Sequence, residues 1–314
     1  MSAREVSAPE VSVTLVLYNS DDHLRACLAA LRGDLSTGFA ELIAVDNASP
    51  DDSVRIAEEV VPGATLIGSP VNRGFACACN LAWPAVGGRY WLLLNPDVVL
   101  DPGALAGLVG WMDQHPEVGV ASPWLRDAAT GELTYPGRAF PSIARTVIEL
   151  LRLHLLLPAR LRGDLLQGSY VTSAMTRTTR PGWVPGAAMI ARTEAVDKVG
   201  LFDESFFLYG EDLEWCRRMR RSGWRIATCP TAVATHHAGA SSRRTWTDEE
   251  VDTRVAAGIY EACRRERGGP YARVFAFSTV LALSLEAWHP GRAPQARRRA
   301  AAARRGWLRT LSRP

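Results

Sequence analysis

The sequence predicts an α/β fold, a mostly parallel sheet with helices on both faces. Through residue 100, apolar β-rich runs alternate with stretches of helical periodicity. The runs are apolar at successive positions, as strands covered on both faces must be. Each run also stops at a polar residue, which bears on function.

The first run is "VSVTLVLYN" (11–19). The following "SDDHLRACLAALRG" spaces Leu24, Leu28 and Leu31 as a helix does, with a Ser/Asp start and Gly33 as its expected stop. "AELIAVDN" (40–47) is a second strand and a helix runs from about Asp51 to Val60. "ATLIGS" (64–69), "ACACNLAWPAV" and "YWLLLN" (90–95) continue as strand, helix, strand. Ligands of such sheets bind beyond the carboxyl ends of the strands. Tyr18-Asn19, Asp46-Asn47, Ser69 and Asn95-Pro96-Asp97 each occupy such an end and are expected to share one crevice.

From Arg138 to Gly182 the alternation breaks down. "PSIARTVIELLRLHLLLPARLRGDLL" reads as an arginine-bearing apolar helix, either packed on its own domain or lying at a lipid interface. Regular structure resumes with "GWVPGAAMIARTEAVDKVG", a strand or turn leading into a helix. The next helix starts near Glu211, with acids in its first turn and arginines near its end, complementing the helix dipole. Residues 225–241 read as two short strands ending in His236-His237, and residues 271–288 as an apolar helix before an Ala/Arg-rich end.

The 314 residues carry a net charge of +3, unevenly spread. Twelve arginines from Arg264 to Arg313 oppose Glu266 and Glu286, so this tail is +10 and the rest about −7. A basic tail on a neutral-to-acidic body points to an anionic membrane surface and away from a protein that coats nucleic acid. The six scattered cysteines form no CxxC pair and read as reduced core thiols. No apolar leader follows the start, and no apolar run reaches the ~20 residues of a membrane span. The expected location is cytoplasmic, with a peripheral place at the inner face of the plasma membrane open to it through the tail.

Several residues can carry chemistry. Asp97, stiffened by Pro96, can present a carboxylate to a hard divalent cation that also binds phosphate, or serve as a turn or N-cap acid. Asp46 can accept from a pyrimidine N–H, or simply cap a turn. Gly74 in "SPVNRGFACACN" enters a helix of small residues that lets backbone approach an anion. Glu211 and Asp212, near Phe206, Phe207, Tyr209 and Trp215, supply either a desolvated general base or charges that suit the helix dipole. His236 or His237 can complete a metal site or pack as polar core. Neither GxGxxG nor GxxxxGK[ST] occurs, which removes support for dinucleotide and ATP sites.

Taken in order, "VTLVLYN", "AVDNASPDDS", "NRGFACACN", "LLLNPDVVL", "WVPGAAMIARTEAVDKVGLFDESFFLYGEDLEWCRRMRRSGW" and "THHAGAS" resemble the family 2 inverting glycosyltransferases of GT-A fold, most closely the rhamnosyltransferase branch. The resemblance covers roughly residues 11–245. It implies a nucleotide-diphospho-sugar site in which Tyr18, Asn19 and Asp46 meet base and ribose, and Asn72, Gly74, Phe75 and Asn80 wall the donor. Asn95-Pro96-Asp97 stands in the place of the family's DXD, so Asn95 lies against the donor and Asp97 ligates Mn²⁺ or Mg²⁺. Gly186 and Trp183 match the acceptor loop, with Tyr209 nearby; Asp212 matches the catalytic base and Glu211 touches the acceptor. His236 is favoured over His237 as the further metal ligand.

The implied reaction moves a sugar, L-rhamnose from dTDP-L-rhamnose first among the choices, to a hydroxyl of a lipid-linked cell-envelope glycan intermediate. The alternatives are another dTDP- or UDP-sugar with a secondary-metabolite acceptor, or a non-catalytic nucleotide-sugar-binding module that docks on membranes. The expected organisation is a transferase domain over residues 1–245, made of a nucleotide-binding half (1–137), a helical insert (138–182) and a catalytic half (183–245), then a basic helical extension (246–314).

Overall fold

The computed structural model describes residues 8–150, 181–237, 244–291 and 293–312. The later part of the expected insert helix, residues 151–180, therefore lies outside the described residues.

The first half follows the expected alternation. Strands β1 (Val11–Leu17), β2 (Ala40–Asp46), β3 (Thr65–Gly68) and β4 (Tyr90–Leu94) pair in parallel in the order β3-β2-β1-β4. Helices α1 (Asp21–Ser36), α2 (Ser53–Val60) and α3 (Phe75–Ala82) connect them. Two boundaries differ from expectation. Helix α1 runs through Gly33, whose cost of about 1 kcal/mol against alanine the helix absorbs, and ends before Gly38, which takes the left-handed φ of 76°. Strand β3 is mostly exposed, as an edge strand can be, so it is not covered on both faces.

Beyond β4 the sheet becomes mixed. β5 (Val98–Leu100), α4 (Ala104–Gln114), β6 (Val118–Asp127), β7 (Leu133–Thr134) and α5 (Ile143–Leu150) lead into the insert. β8 (Ala188–Arg192) then enters between β4 and β6, antiparallel to both. Ala188 pairs with Leu94, so β8 begins where β4 ends and the loop before it hangs over the carboxyl ends of the parallel strands. After α6 (Thr193–Val199) and α7 (Glu211–Arg221), β9 (Arg225–His236) lies parallel to β6 and antiparallel to β5. β9 is one strand, not two. Its pairing with β6 jumps from Cys229 to Val233, and that break contains Pro230, which has no N–H to give a ladder.

Successive residues of β4 serve opposite cores, as a period of two requires. Tyr90, Leu92 and Leu94 join the cluster under α1 and α4 with Leu24, Leu28 and Leu108. Trp91 and Leu93 join the cluster under α3 and α7 with Cys79, Trp215 and Met219. Trp91 lies 6.2 Å from Trp215 and donates from Nε1 to Thr14 Oγ1 at 2.8 Å, so its polar edge is satisfied in the core.

The tail folds as three helices, α8 (Asp248–Arg267), α9 (Gly269–Trp288) and α10 (Pro294–Leu311), with Ala256, Cys263, Phe275 and Trp307 in their own core. A capping box starts α8, Thr247 and Glu250 each closing on the other's backbone N–H. The bundle packs on the α/β part of the chain: a Cβ on Gly258 would meet Tyr209 O at 2.1 Å, and Arg265 pairs with Asp203. No described helix is long and apolar enough to cross a membrane.

Candidate active site

A crevice of about 350 Å³ opens at the carboxyl ends of the strands and takes in Tyr18, Asn47 and Asn95-Pro96-Asp97, whereas Ser69 does not line it and donates to Val71 O at 2.8 Å. Tyr18, Asn72, Gly74, Phe75 and Asn95 line one side. Trp183, Gly186, Tyr209, Glu211 and Asp212 line the other, and Asp97 with His236 lies between.

The turn from Asn95 to Val98 joins β4 to β5, with Val98 N–H donating to Asn95 O at 3.0 Å. Pro96 pre-sets the turn and Asp97 projects from it. Asp97 is 5% exposed, and its Oδ1 accepts no hydrogen bond among the described residues. Pairing of β5 with β9 sets Val98 opposite His236 and brings His236 Nε2 to 3.5 Å from Asp97 Oδ1. An idle carboxylate oxygen beside an imidazole nitrogen suits a divalent cation whose other ligands are phosphate oxygens and water. Among the described residues no group of three or more His, Cys, Asp or Glu could hold an ion. His237 does not line the crevice: its ring stacks on His23 at 4.5 Å and its N–H binds Asp97 O at 3.0 Å.

Three residues expected against the donor are not among those that line the crevice, and each bonds within the chain. Asn80 accepts from Phe202 N–H and donates to Phe202 O, pinning the loop after α6 to α3. Asn19, at φ 52°, donates from Nδ2 to Thr245 Oγ1 at 3.0 Å and so ties the end of β1 to the segment before α8. Asp46 Oδ1 accepts Ser49 N–H at 2.8 Å, and its neighbour Asn47 lines the crevice in its place. Asn47 bridges Asn72 Oδ1 at 2.9 Å and Arg73 N–H at 2.9 Å, which fixes the turn leading to Gly74. Gly74, at φ 84°, brings that turn against the opposite wall: a Cβ would meet Phe207 O at 2.1 Å, and Phe75 N–H donates to the same carbonyl.

The acid pair begins α7. Asp212 Oδ2 accepts Gly186 N–H at 3.1 Å and its Oδ1 accepts Leu213 N–H at 2.7 Å. Burial pushes the Asp212 carboxyl up to about 6, those N–H groups and Arg138 opposing the rise. Glu211 is 4% exposed, with Oε2 in no hydrogen bond among the described residues. Burial, then the charge of Asp212, drives it well above the usual carboxylate range. Burial thus raises both adjacent acids, and Asp212 is the one whose two oxygens are held by backbone N–H groups.

Of the aromatics expected around these acids, Phe207 and Tyr209 line the crevice. Phe206 packs with Leu213 and Ala262, and Trp215 is buried against Trp91. Arg138, Thr245 and Trp246 line the crevice without having been expected there. The Thr247 capping box signals a helix start just after Trp246, and was the local clue to that segment.

The fold is shared with solved glycosyltransferases. The mannosyltransferase PcManGT from Pyrobaculum calidifontis, in complex with GDP-Man and Mn²⁺, superposes with a TM-score of 0.62 at 17% identity, covering 99% of this chain and 89% of that one. S. aureus TarS 1–349 with UDP-GlcNAc gives 0.53 at 16% identity, covering 93% and 79%. In sequence, the N-acetylglucosaminyl-diphospho-decaprenol L-rhamnosyltransferase of Mycobacterium tuberculosis H37Rv is 29% identical over 246 residues, 74% of this chain and 77% of that enzyme. Rhamnosyltransferase WbbL of Escherichia coli K12 is 23% identical over 242 residues, 74% and 85%. The glycosyl transferase family 2 model matches residues 12–177, more than half of the chain. The crevice therefore belongs to a glycosyltransferase of GT-A fold, and the chain is a member of glycosyl transferase family 2.

Proposed function

We propose that the protein transfers a sugar, L-rhamnose from dTDP-L-rhamnose, with inversion to a hydroxyl of a lipid-linked cell-envelope glycan intermediate, Asp212 acting as base. The carrying observation is that one crevice contains both the Asp97–His236 pair and a buried acid pair in which backbone N–H groups orient Asp212. Both relatives named above are rhamnosyltransferases, and one acts on a diphospho-decaprenol-linked sugar.

Asp97 and His236 would hold Mn²⁺ or Mg²⁺, and the bound cation supplies a counter-charge for the departing diphosphate. Tyr18, Asn47 and Asn72 line the side on which the nucleotide lies, and Gly74 keeps the turn close enough for backbone contact. Asp212, oriented by Gly186 and Leu213 N–H groups, removes the proton from the acceptor hydroxyl. That oxygen attacks the anomeric carbon on the face opposite the diphosphate, and one displacement inverts the centre. Glu211, its carboxyl raised by burial, touches the acceptor; Trp183, Phe207 and Tyr209 narrow the crevice against water. In this reading residues 246–314 form an extension that supports the transferase domain.

Helix α9 favours a membrane-bound acceptor over a soluble metabolite. Val274, Phe277, Leu281, Leu285 and Trp288 are all exposed, Trp288 by 80%. Their spacing of three and four puts them on one helix face, and exposed Arg273 and the arginines that open α10 flank it. Such a face suits an anionic lipid surface. The test is calorimetry of dTDP-, UDP- and GDP-sugars with Mn²⁺ and with EDTA, followed by transfer to N-acetylglucosaminyl-diphospho-farnesol. The expected result is Mn²⁺-dependent binding of dTDP-rhamnose and rhamnosyl transfer; binding of a UDP-sugar alone overturns the donor, and binding of none overturns the reading.

A further inference from the structure

Trp246 lines the crevice from a segment that belongs to neither wall, the four residues 244–247 that lead into α8. Each of the four is fixed. Arg244 pairs with Asp21 and Asp22 at the start of α1, Thr245 Oγ1 accepts Asn19 Nδ2 at 3.0 Å, and Thr247 caps α8. Trp246 meets the Phe207 ring at 6.4 Å with 76° between the ring planes. Arg254, two turns into α8, lies over the Trp246 ring at 4.5 Å and over the Phe207 ring at 5.8 Å. Its Nε is buried with no hydrogen-bond partner among the described residues, which leaves the guanidinium packed on the two rings. These contacts hold the indole in place, so a ligand that packs on it does not have to order it.

The anchors attach Trp246 to the strand-end wall. Asn19 follows Tyr18 in the chain, and the Phe207 carbonyl against which Gly74 closes accepts Phe75 N–H at 2.8 Å. Tyr18 and Gly74 both line the crevice, together with Asn47 and Asn72. The two asparagines offer hydrogen bonds to the edge of a ring or to hydroxyls, but a flat heteroaromatic ring also has faces to cover, and an indole covers them. We propose that Trp246 is the surface on which the pyrimidine base of the donor nucleotide stacks, so that the donor site is completed by the segment that opens the C-terminal bundle. The inference rests on the nucleotide-sugar reading above but on a residue that reading does not use. Stacking is indifferent to hydrogen-bonding pattern, so Trp246 supplies affinity for a base and does not choose between thymine and uracil. An acceptor sugar belongs beside Asp212, whereas the tie from Thr245 to Asn19 runs to the end of β1.

The test titrates dTDP and UDP calorimetrically into wild type, Trp246→Ala and Trp246→Phe, each with Mn²⁺ and with EDTA. Trp246→Ala should bind the nucleotide about 5- to 100-fold more weakly, the range for removing an aromatic side chain from beneath a base. Trp246→Phe should recover most of that loss. The loss should be the same size with and without the cation, because the base does not touch it. In transfer assays donor KM should rise by a similar factor while kcat and acceptor KM hold. Equal affinities of Trp246→Ala and wild type overturn the proposal, as does a loss confined to Mn²⁺, which marks a disturbed cation site. A Trp246→Phe variant as weak as Trp246→Ala overturns it too. So does an acceptor KM that rises with nucleotide affinity intact, which assigns the indole to the acceptor. If nucleotide affinity falls as expected but wild type transfers no sugar, Trp246 keeps its role and the functional reading falls.

Discussion

The wall formed by Tyr18, Asn72 and Asn95 sits on strand ends and turns, tied by hydrogen bonds such as Asn47 to Asn72 and Asn95 N–H to Ala187 O. The wall carrying Glu211 and Asp212 instead hangs from a loop with two consecutive left-handed residues, Tyr209 at φ 70° and Gly210 at φ 95°. The first uses polar groups already satisfied, which suits recognition of a nucleotide without reorganisation. The second keeps acids where water would not leave them, and stays in shape because α8 presses on it at Gly258. In the proposed reading, binding and proton transfer therefore depend on different kinds of support, and substitutions should separate them.

The sharpest separation is expected from Asp212→Asn. Loss of the base should lower kcat by about 10²–10⁴-fold while calorimetric donor affinity holds; retained turnover would reassign the base. Next is Gly258→Ala, whose methyl group must displace Tyr209 O and with it the start of α7. A shift of about 1 Å at the acid can cost roughly 100-fold in kcat, again with donor affinity unchanged. If both fall together, the walls are not independent.

Asp97→Asn should act between the two walls, weakening donor binding about tenfold in Mn²⁺ and little in EDTA. The pH profile sharpens the contrast further. With the Asp212 carboxyl raised to about 6, kcat/KM should rise with pH and level off above that value. Stability runs the opposite way. A carboxyl raised in the folded state contributes stability below its unfolded value and loses it as pH climbs through about 6. Asp212→Asn should consequently melt a few degrees higher than wild type at pH 8 and show no such gain at pH 4. The smallest effect is expected from Asn80→Ala: donor affinity within about twofold, and a stability loss near 1–2 kcal/mol from the freed Phe202 backbone groups.

The same contrast governs what could be read in the sequence. Polar residues that end apolar strands announce themselves, so Tyr18, Asn95 and Asp97 were legible from pattern, and the left-handed start of α7 is marked by Gly210 just before the acids. Asn19, Asp46 and Asn80 have the right residue types in the right places, yet their partners, Thr245, Ser49 and Phe202, decide their roles. Thr245 is more than two hundred residues from Asn19, and local spacing carries no trace of that bond. Arg138 and Trp246 went unseen for the same reason. The single strand β9 and the passage of α1 through Gly33 show the converse, where sheet pairing and helix packing override a local break.

The fit between Gly258 and the carbonyl of Tyr209 leaves no space for a single methyl group. The C-terminal bundle thus acts as a backing plate for Glu211 and Asp212, whatever else its outer face touches. A chain cut before Asp248 would retain the strand-end wall but carry Asp212, the proposed base, on an unbraced hinge, and grafting this bundle onto a related enzyme would require grafting the 209–210 corner with it.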